Sequence, residues 1–258
     1  MNQTVKKDIA SKTVLWISLA YVLSFICYIP MLLNKYGVNI PNAFLYLKYG
    51  FIFVPALVSV LFLIHERRLK NYWISNFKKI SLKEIVLCAV VAVIGVAVTY
   101  CYALIEKADL FGNAYSSVLS LVVSCLYLFA TALIEEIAWR GYLFSHLAVG
   151  EKKVAAAIFV GVVWATWHIP MWLIRNSLSF AEMIPLFIWA VLVSVVLGMS
   201  YSVFRNILSV SILHMIFNVC FLAPVKCNVL IIFLSIMVCF VYKNTKQFLE
   251  KRKNDSTN

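Results

Sequence analysis

The sequence predicts an all-α polytopic membrane protein of about eight transmembrane helices. Two observations carry this reading. Of the 258 residues, 63% are hydrophobic and only 13% charged, with a mean hydropathy of +0.91, a balance that soluble domains of this size do not show. The apolar residues also fall in runs of about 17 to 25, the length a helix needs to cross the hydrocarbon core. These runs lie at approximately 13–33, 47–64, 84–105, 116–139, 153–174, 183–204, 206–223 and 226–242. They make one multi-pass domain over 1–258, with polar residues suited to chemistry concentrated in a core at about 116–223.

The first run, TVLWISLAYVLSFICYIPMLL from Thr13, follows Lys6, Lys7 and Lys12 and superficially resembles a secretory signal. It is too long and has no small-residue cleavage site, so it is expected to be a retained helix. An even number of spans puts both termini on one side. Most of the 23 lysines and arginines lie in the N-terminus, in the loops after the second, fourth and sixth runs, and in the C-terminal tail at about 243–258. The positive-inside rule therefore predicts cytoplasmic termini. The largest loop, HERRLKNYWISNFKKISLK from His65, mixes basic and aromatic residues, as a segment lying on anionic lipid would. The net charge of +12 is accounted for by these loops, so nucleic acid is not an expected partner. Tryptophans and tyrosines near the ends of runs are expected to anchor at the interface. Cys27, Cys88, Cys101, Cys125, Cys220, Cys227 and Cys239 form no CxxC and read as reduced, apolar thiols.

Three groups of polar residues interrupt the apolar runs. A charge at the centre of a spanning helix costs about 2.5 to 3.5 kcal/mol on insertion scales, so such residues call for a function. ALIEEIAWRGYLF, residues 132–144, carries Glu135, Glu136 and Arg140. Glu136 and Arg140 are four apart with the acid first, the favoured order for an ion pair on a helix. Glu135 points about 100° away, which leaves it without that partner. The alternative is a helix that ends in charge at Ile134. WATWHIP places His168 one turn after Trp164 and two residues before Pro170, which cannot donate to the Thr166 carbonyl. HMIFN sets His214 and Asn218 one turn apart, on one face.

Depth links the first two groups. For a turn at Gly150 to Lys152, Glu135 and His168 lie about 23 and 26 Å from it along their helices at 1.5 Å per residue. A helical hairpin brings them to one level, and requires the fourth helix to continue through WRGYLFSHLAVG, with Gly141 as the place for a bend. His65 and His146 are expected to face solvent, and Arg175 to reach the outer interface.

A carboxylate, two imidazoles and an amide around one cavity suit acyl hydrolysis by water. Glu135 would act as general base, His168 would orient the water or protonate the leaving amine, and His214 with Asn218 would donate to the oxyanion. Glu135, His168 and His214 as zinc ligands are the alternative, although the HExxH spacing is absent.

These residues resemble the three ordered motifs of the CPBP family, the CAAX-processing endopeptidases and bacteriocin-processing or immunity proteins also called the Abi family. The matching elements are EExxxR at Glu135, Glu136 and Arg140, aromatic-xxx-His at Trp164 and His168, and HxxxN at His214 and Asn218. The resemblance spans roughly 116–223. It implies an intramembrane endopeptidase of about eight helices with Glu135 as base, His168 assisting, His214 and Asn218 as oxyanion hole, and Glu136 with Arg140 in support. It also implies metal-free catalysis, with zinc as the lesser reading. Trp164 departs from the usual phenylalanine and is expected to alter packing. The implied partner is a peptide or membrane-protein substrate, such as a leader peptide, pheromone precursor or bacteriocin, in a bacterial cytoplasmic membrane. An immunity or regulatory protein acting by binding is the alternative. A proton-coupled transporter fits less well, because no repeated pair of broken helices is evident.

Overall fold

Among the described residues, four helical segments are long and apolar enough to cross a bilayer: Asp8–Ile26, Val118–Leu147, Lys153–Arg175 and Phe180–Phe204. A fifth arises if Asn42–Ile52 and Val54–His65, bent by 57° at their junction, form one span. The computed structural model describes residues 3–106, 117–148 and 152–220, and among them contains helices and no strand. The helices are α1 (Gln3–Ile26), α2 (Ile29–Lys35), α3 (Asn42–Leu45, running into a 3-10 turn at Tyr46–Ile52), α4 (Val54–His65), α5 (Leu69–Asn76), α6 (Leu82–Glu106), α7 (Val118–Glu136), α8 (Ser145–Leu147), α9 (Lys153–Trp167), α10 (Phe180–Phe204) and α11 (Ile207–Cys220). Helices α6 and α11 occupy the expected third and seventh spans. The run at 226–242 and the tail lie outside the described residues, as does most of the turn at 150–152.

The fourth span continues past its charged residues, as the depth argument requires. Val118–Leu147 forms one 30-residue helical path, but the expected bend at Gly141 is instead a π-helical stretch over Ile137–Phe144. Widening the hydrogen-bond register to i→i+5 accommodates an extra residue and leaves carbonyls short of partners. Side chains supply them: the Tyr72 hydroxyl donates to the Ile137 carbonyl at 2.8 Å, and Ser145 Oγ to the Arg140 carbonyl at 3.1 Å. Burial pushes the Tyr72 phenol well above its ordinary pKa, so it stays a donor. Polar caps mark where helices begin. Ser117 and Ser179 form capping boxes with Ser120 and Glu182, and the latter starts α10 three residues ahead of the expected boundary.

The bundle closes through small residues and tryptophans. Gly161 of α9 faces Ser194 of α10, and Gly198 of α10 faces Ala157 of α9, so closely that a Cβ on either glycine would come within 2.8 Å of its neighbour; such contacts let membrane helices approach. Ser194 Oγ donates to the Ala157 carbonyl at 2.9 Å across the same seam. Trp16, Trp139, Trp164 and Trp167 are essentially buried, which corrects the expectation of interfacial anchoring for Trp16 and Trp139, the two near span ends. Trp16 meets Trp139 edge-on at 5.4 Å, Trp139 meets Trp167 at 5.5 Å, and Phe51 stacks on Trp167 at 3.8 Å. Two of the indole N–H groups find serines, Trp16 with Ser59 and Trp167 with Ser24, which is how a polar tip enters an apolar interior. Outward positions such as Val14, Leu119, Leu126 and Ile184 remain exposed and apolar, a surface suited to lipid.

Gly141 is the tightest point of the π-helical stretch. A Cβ there would lie 2.0 Å from the Tyr72 hydroxyl and 2.8 Å from Ile207 Cδ1. Gly141→Ala is therefore expected to destabilise by about 1 to 3 kcal/mol. Tyr72→Phe, which removes the clashing oxygen, should recover part of that loss in the double variant. Thermal melting of the detergent-solubilised single and double variants checks this, and strict additivity would contradict it.

Candidate active site

Glu135, Glu136 and Arg140 are not at a helix end. Their exposures are 7%, 0% and 0%, which removes the interfacial alternative. Glu136 and Arg140 pair as their spacing predicts, with Arg140 Nη1 2.7 Å from Glu136 Oε1. The same oxygen lies 2.8 Å from His214 Nδ1 of α11, a cross-helix contact that adjacent-residue spacing does not reveal. Arg140 Nε and Nη2 and Glu136 Oε2 are buried without partners among the described residues. Arg140 also sits over the Trp164 ring, 5.1 Å from its centroid.

Glu135 is not free. The Trp164 indole N–H of α9 donates to Glu135 Oε2 at 2.7 Å. This corrects the reading of Glu135 as unpaired, and changes the meaning of the tryptophan from packing to polar contact. A phenylalanine cannot make that bond. The second carboxylate oxygen receives no hydrogen bond from the described residues and is the one able to face a ligand.

The hairpin of α7 and α9 brings His168 to the level of Glu135, as expected. Trp164 stands between them, with ring centroids 5.2 Å from His168 and 5.1 Å from His214, both edge-on. His168 Nδ1 is 2.8 Å from the Trp164 carbonyl oxygen. A carbonyl only accepts, so Nδ1 carries a proton and the neutral ring presents Nε2 as an acceptor. Beyond His168, Pro170 is followed by a second π-helical stretch, Met171–Arg175. Tyr21 of α1 reinforces the disrupted turn, donating to the Val163 carbonyl at 2.6 Å and hydrogen bonding with the Thr166 hydroxyl.

Glu135, His168, His214 and Asn218, from three helices, line one cavity of about 260 Å³ together with Trp164. All four predicted catalytic residues are thus brought together, and Glu136 and Arg140 lie behind them. Arg175, expected to reach the interface, is exposed and also lines this cavity, as do Tyr127, Thr131 and Trp189. Their sequence context gave no more than a basic span end and helical aromatics. His146, expected to face solvent, is half-buried with its Nε2 enclosed and without a partner among the described residues, whereas His65 is exposed as expected.

Among the described residues no three His, Cys, Asp or Glu side chains are grouped to hold a metal ion. The Trp164 indole N–H occupies Glu135 Oε2 and Glu136 faces His214 Nδ1, contacts made through one atom of each side chain.

Replacing Trp164 tests the polar contact directly. Trp164→Phe fills most of the ring space but removes the donor to a carboxylate, a bond worth about 1.5 to 3 kcal/mol. If the site acts through Glu135, turnover is expected to fall about tenfold or more with little change in KM. Unchanged turnover would show the bond to be structural only.

Comparison with known proteins bears on this same region. A family model described as type II CAAX prenyl endopeptidase, Rce1-like, matches residues 117–220. The chain is also 26% identical over 135 residues to the protein named CAAX prenyl protease 2 of Methanococcus maripaludis, an alignment that covers 49% of this chain and 50% of that protein. The chain thus spans about half the length of the curated relative it matches.

Proposed function

We propose, on the premise that residues 117–220 belong to the CAAX-type intramembrane protease family, that this multi-pass membrane protein is an endopeptidase working within the bilayer. The observation that carries the proposal is the convergence of Glu135, His168, His214 and Asn218 on one cavity, with the carboxylate buried and held by Trp164.

Glu135 takes a proton from water through the oxygen that Trp164 leaves open, and the hydroxide adds to the substrate carbonyl carbon. His168 Nε2, the acceptor side of its ring, orients that water. The tetrahedral oxyanion is met by the Asn218 amide. His214 joins it when both its ring nitrogens are protonated, a state that the carboxylate of Glu136 compensates. Collapse breaks the C–N bond, and the proton held by Glu135 passes to the leaving amine. Donors aimed at the developing charge are commonly worth about 3 to 4 kcal/mol each. Every step uses side chains alone, so the mechanism is proposed to be metal-free.

The proposed substrate is a peptide, or a terminal segment of a membrane protein, reaching the cavity at the membrane. Leader peptides, pheromone precursors and bacteriocins of a bacterial cytoplasmic membrane are the classes proposed. Comparative peptidomics of cells carrying the native protein or Glu135→Gln tests activity and substrate together. Peptides that accumulate uncleaved only in the variant are expected, and cleavage of such a peptide by the purified protein should persist in a chelator. Identical peptide profiles would overturn the endopeptidase reading, and loss of cleavage in the chelator its metal-free form.

A further inference from the structure

At the other end of the bundle from Trp164 and His168, a second cavity of about 440 Å³ lies among Arg68, Asn71, Ser145, His146, Tyr201 and Arg205. It shares no lining residue with the candidate active site. We infer that it is a binding site for a phosphate group, presented by an anionic phospholipid headgroup at the cytoplasmic face.

The argument starts from charge. The cavity is lined by two arginines and no carboxylate. Arg205 has no carboxylate partner among the described residues; its guanidinium lies 5.7 Å from the Tyr201 ring centroid, and Nη1 reaches Ser145 Oγ only at 3.4 Å. Its backbone is left-handed, with φ of 52°, closing α10 and turning the chain into α11. Arg68 is 62% exposed and lies 3.3 Å from Glu66, a largely buried carboxylate that also takes the Tyr142 hydroxyl at 3.4 Å. His146 stacks on Tyr142, with its Nε2 enclosed and without a partner among the described residues, so the ring serves as wall rather than donor. The hydroxyls of Ser145 and Tyr201 lie 2.9 Å apart, and Tyr201 donates to Asn76, so this wall is fixed in place. Two guanidinium groups beside one cavity, Arg205 with no acid on it among the described residues and Arg68 shared with Glu66, are the donors offered to phosphate oxygens. The volume falls within the usual range of ligand pockets.

Position then selects the source of the phosphate. The lining comes from the start of α1, the α4–α5 junction, α8 and the end of α10. These are segments at or beside the N-terminus and the loops after the second, fourth and sixth apolar runs, where basic residues concentrate. The positive-inside rule assigns them to the cytoplasmic face, where anionic headgroups are found and where basic pockets between helices bind them.

The test uses the full chain and does not depend on proteolysis. Native mass spectrometry and thermal melting would be recorded with phosphatidylglycerol, with phosphatidylcholine and with inorganic phosphate. Arg68→Gln/Arg205→Asn is the variant of interest, because asparagine tolerates the left-handed backbone. Lys152→Gln/Lys153→Gln is the control, basic residues at the far end of the loop after the fourth run and not among the cavity's lining residues. Phosphatidylglycerol is expected to stabilise the native protein more than phosphatidylcholine, and to bind the arginine variant about tenfold or more weakly while leaving the lysine control unchanged. Arg68→Gln alone, at an exposed position, should show part of the loss if the double variant does not fold. Equal losses in the arginine and lysine variants, or no preference for phosphatidylglycerol, would overturn the site. Arginine-dependent stabilisation by inorganic phosphate with no lipid preference would overturn the headgroup as its source.

Discussion

Glu135→Gln is expected to lower peptide cleavage by at least about a hundredfold while leaving the protein folded in the membrane. A general base contributes about 10²- to 10⁴-fold, and glutamine keeps the shape and a carbonyl oxygen while losing the ability to hold a proton taken from water. That carbonyl can still accept from the Trp164 indole, which now meets Glu135 Oε2 at 2.7 Å, so the interhelical contact survives. The expected signature is a fall in kcat with KM nearly unchanged and a melting temperature close to that of the native protein. Glu135→Ala serves as the contrasting variant. It also removes the base, but strands the buried indole N–H, and should therefore cost stability as well as activity. Undiminished turnover by the glutamine variant would remove Glu135 from the mechanism.

What could be read in advance follows from the distance over which each rule acts. The ion pair of Glu136 with Arg140 follows from one turn of helix, and both residues are where that turn puts them. The common level of Glu135 and His168 follows from a constant rise per residue on two helices joined by a short turn. The Trp164 bond to Glu135 follows from neither. It depends on the sideways register of α7 against α9 and on one indole rotamer, which close packing at Gly161 and Gly198 helps to set. The π-helical stretch at Ile137–Phe144 was equally hidden, because a single-residue change of register has no composition of its own. Its traces are the displaced carbonyls of Ile137 and Arg140 and the distant Tyr72 that satisfies one of them.

Glu136→Leu separates the two roles of the buried charge layer. Glu136 is the only hydrogen-bonding partner of the Arg140 guanidinium among the described residues, and it also anchors His214 through the same oxygen. Removing it leaves a fully buried arginine uncompensated, a loss expected to cost about 3 to 5 kcal/mol. Adding Arg140→Met deletes the stranded charge and fills similar volume with apolar atoms, and replacing both members of such a pair is often neutral or better. Melting of the detergent-solubilised protein should therefore fall in the single variant and largely recover in the double. Activity should not recover with it, because His214 still lacks the carboxylate that orients its ring and compensates its charge. A double variant that regains turnover along with stability would assign Glu136 to folding alone and leave His214 to be positioned by its packing against Trp164.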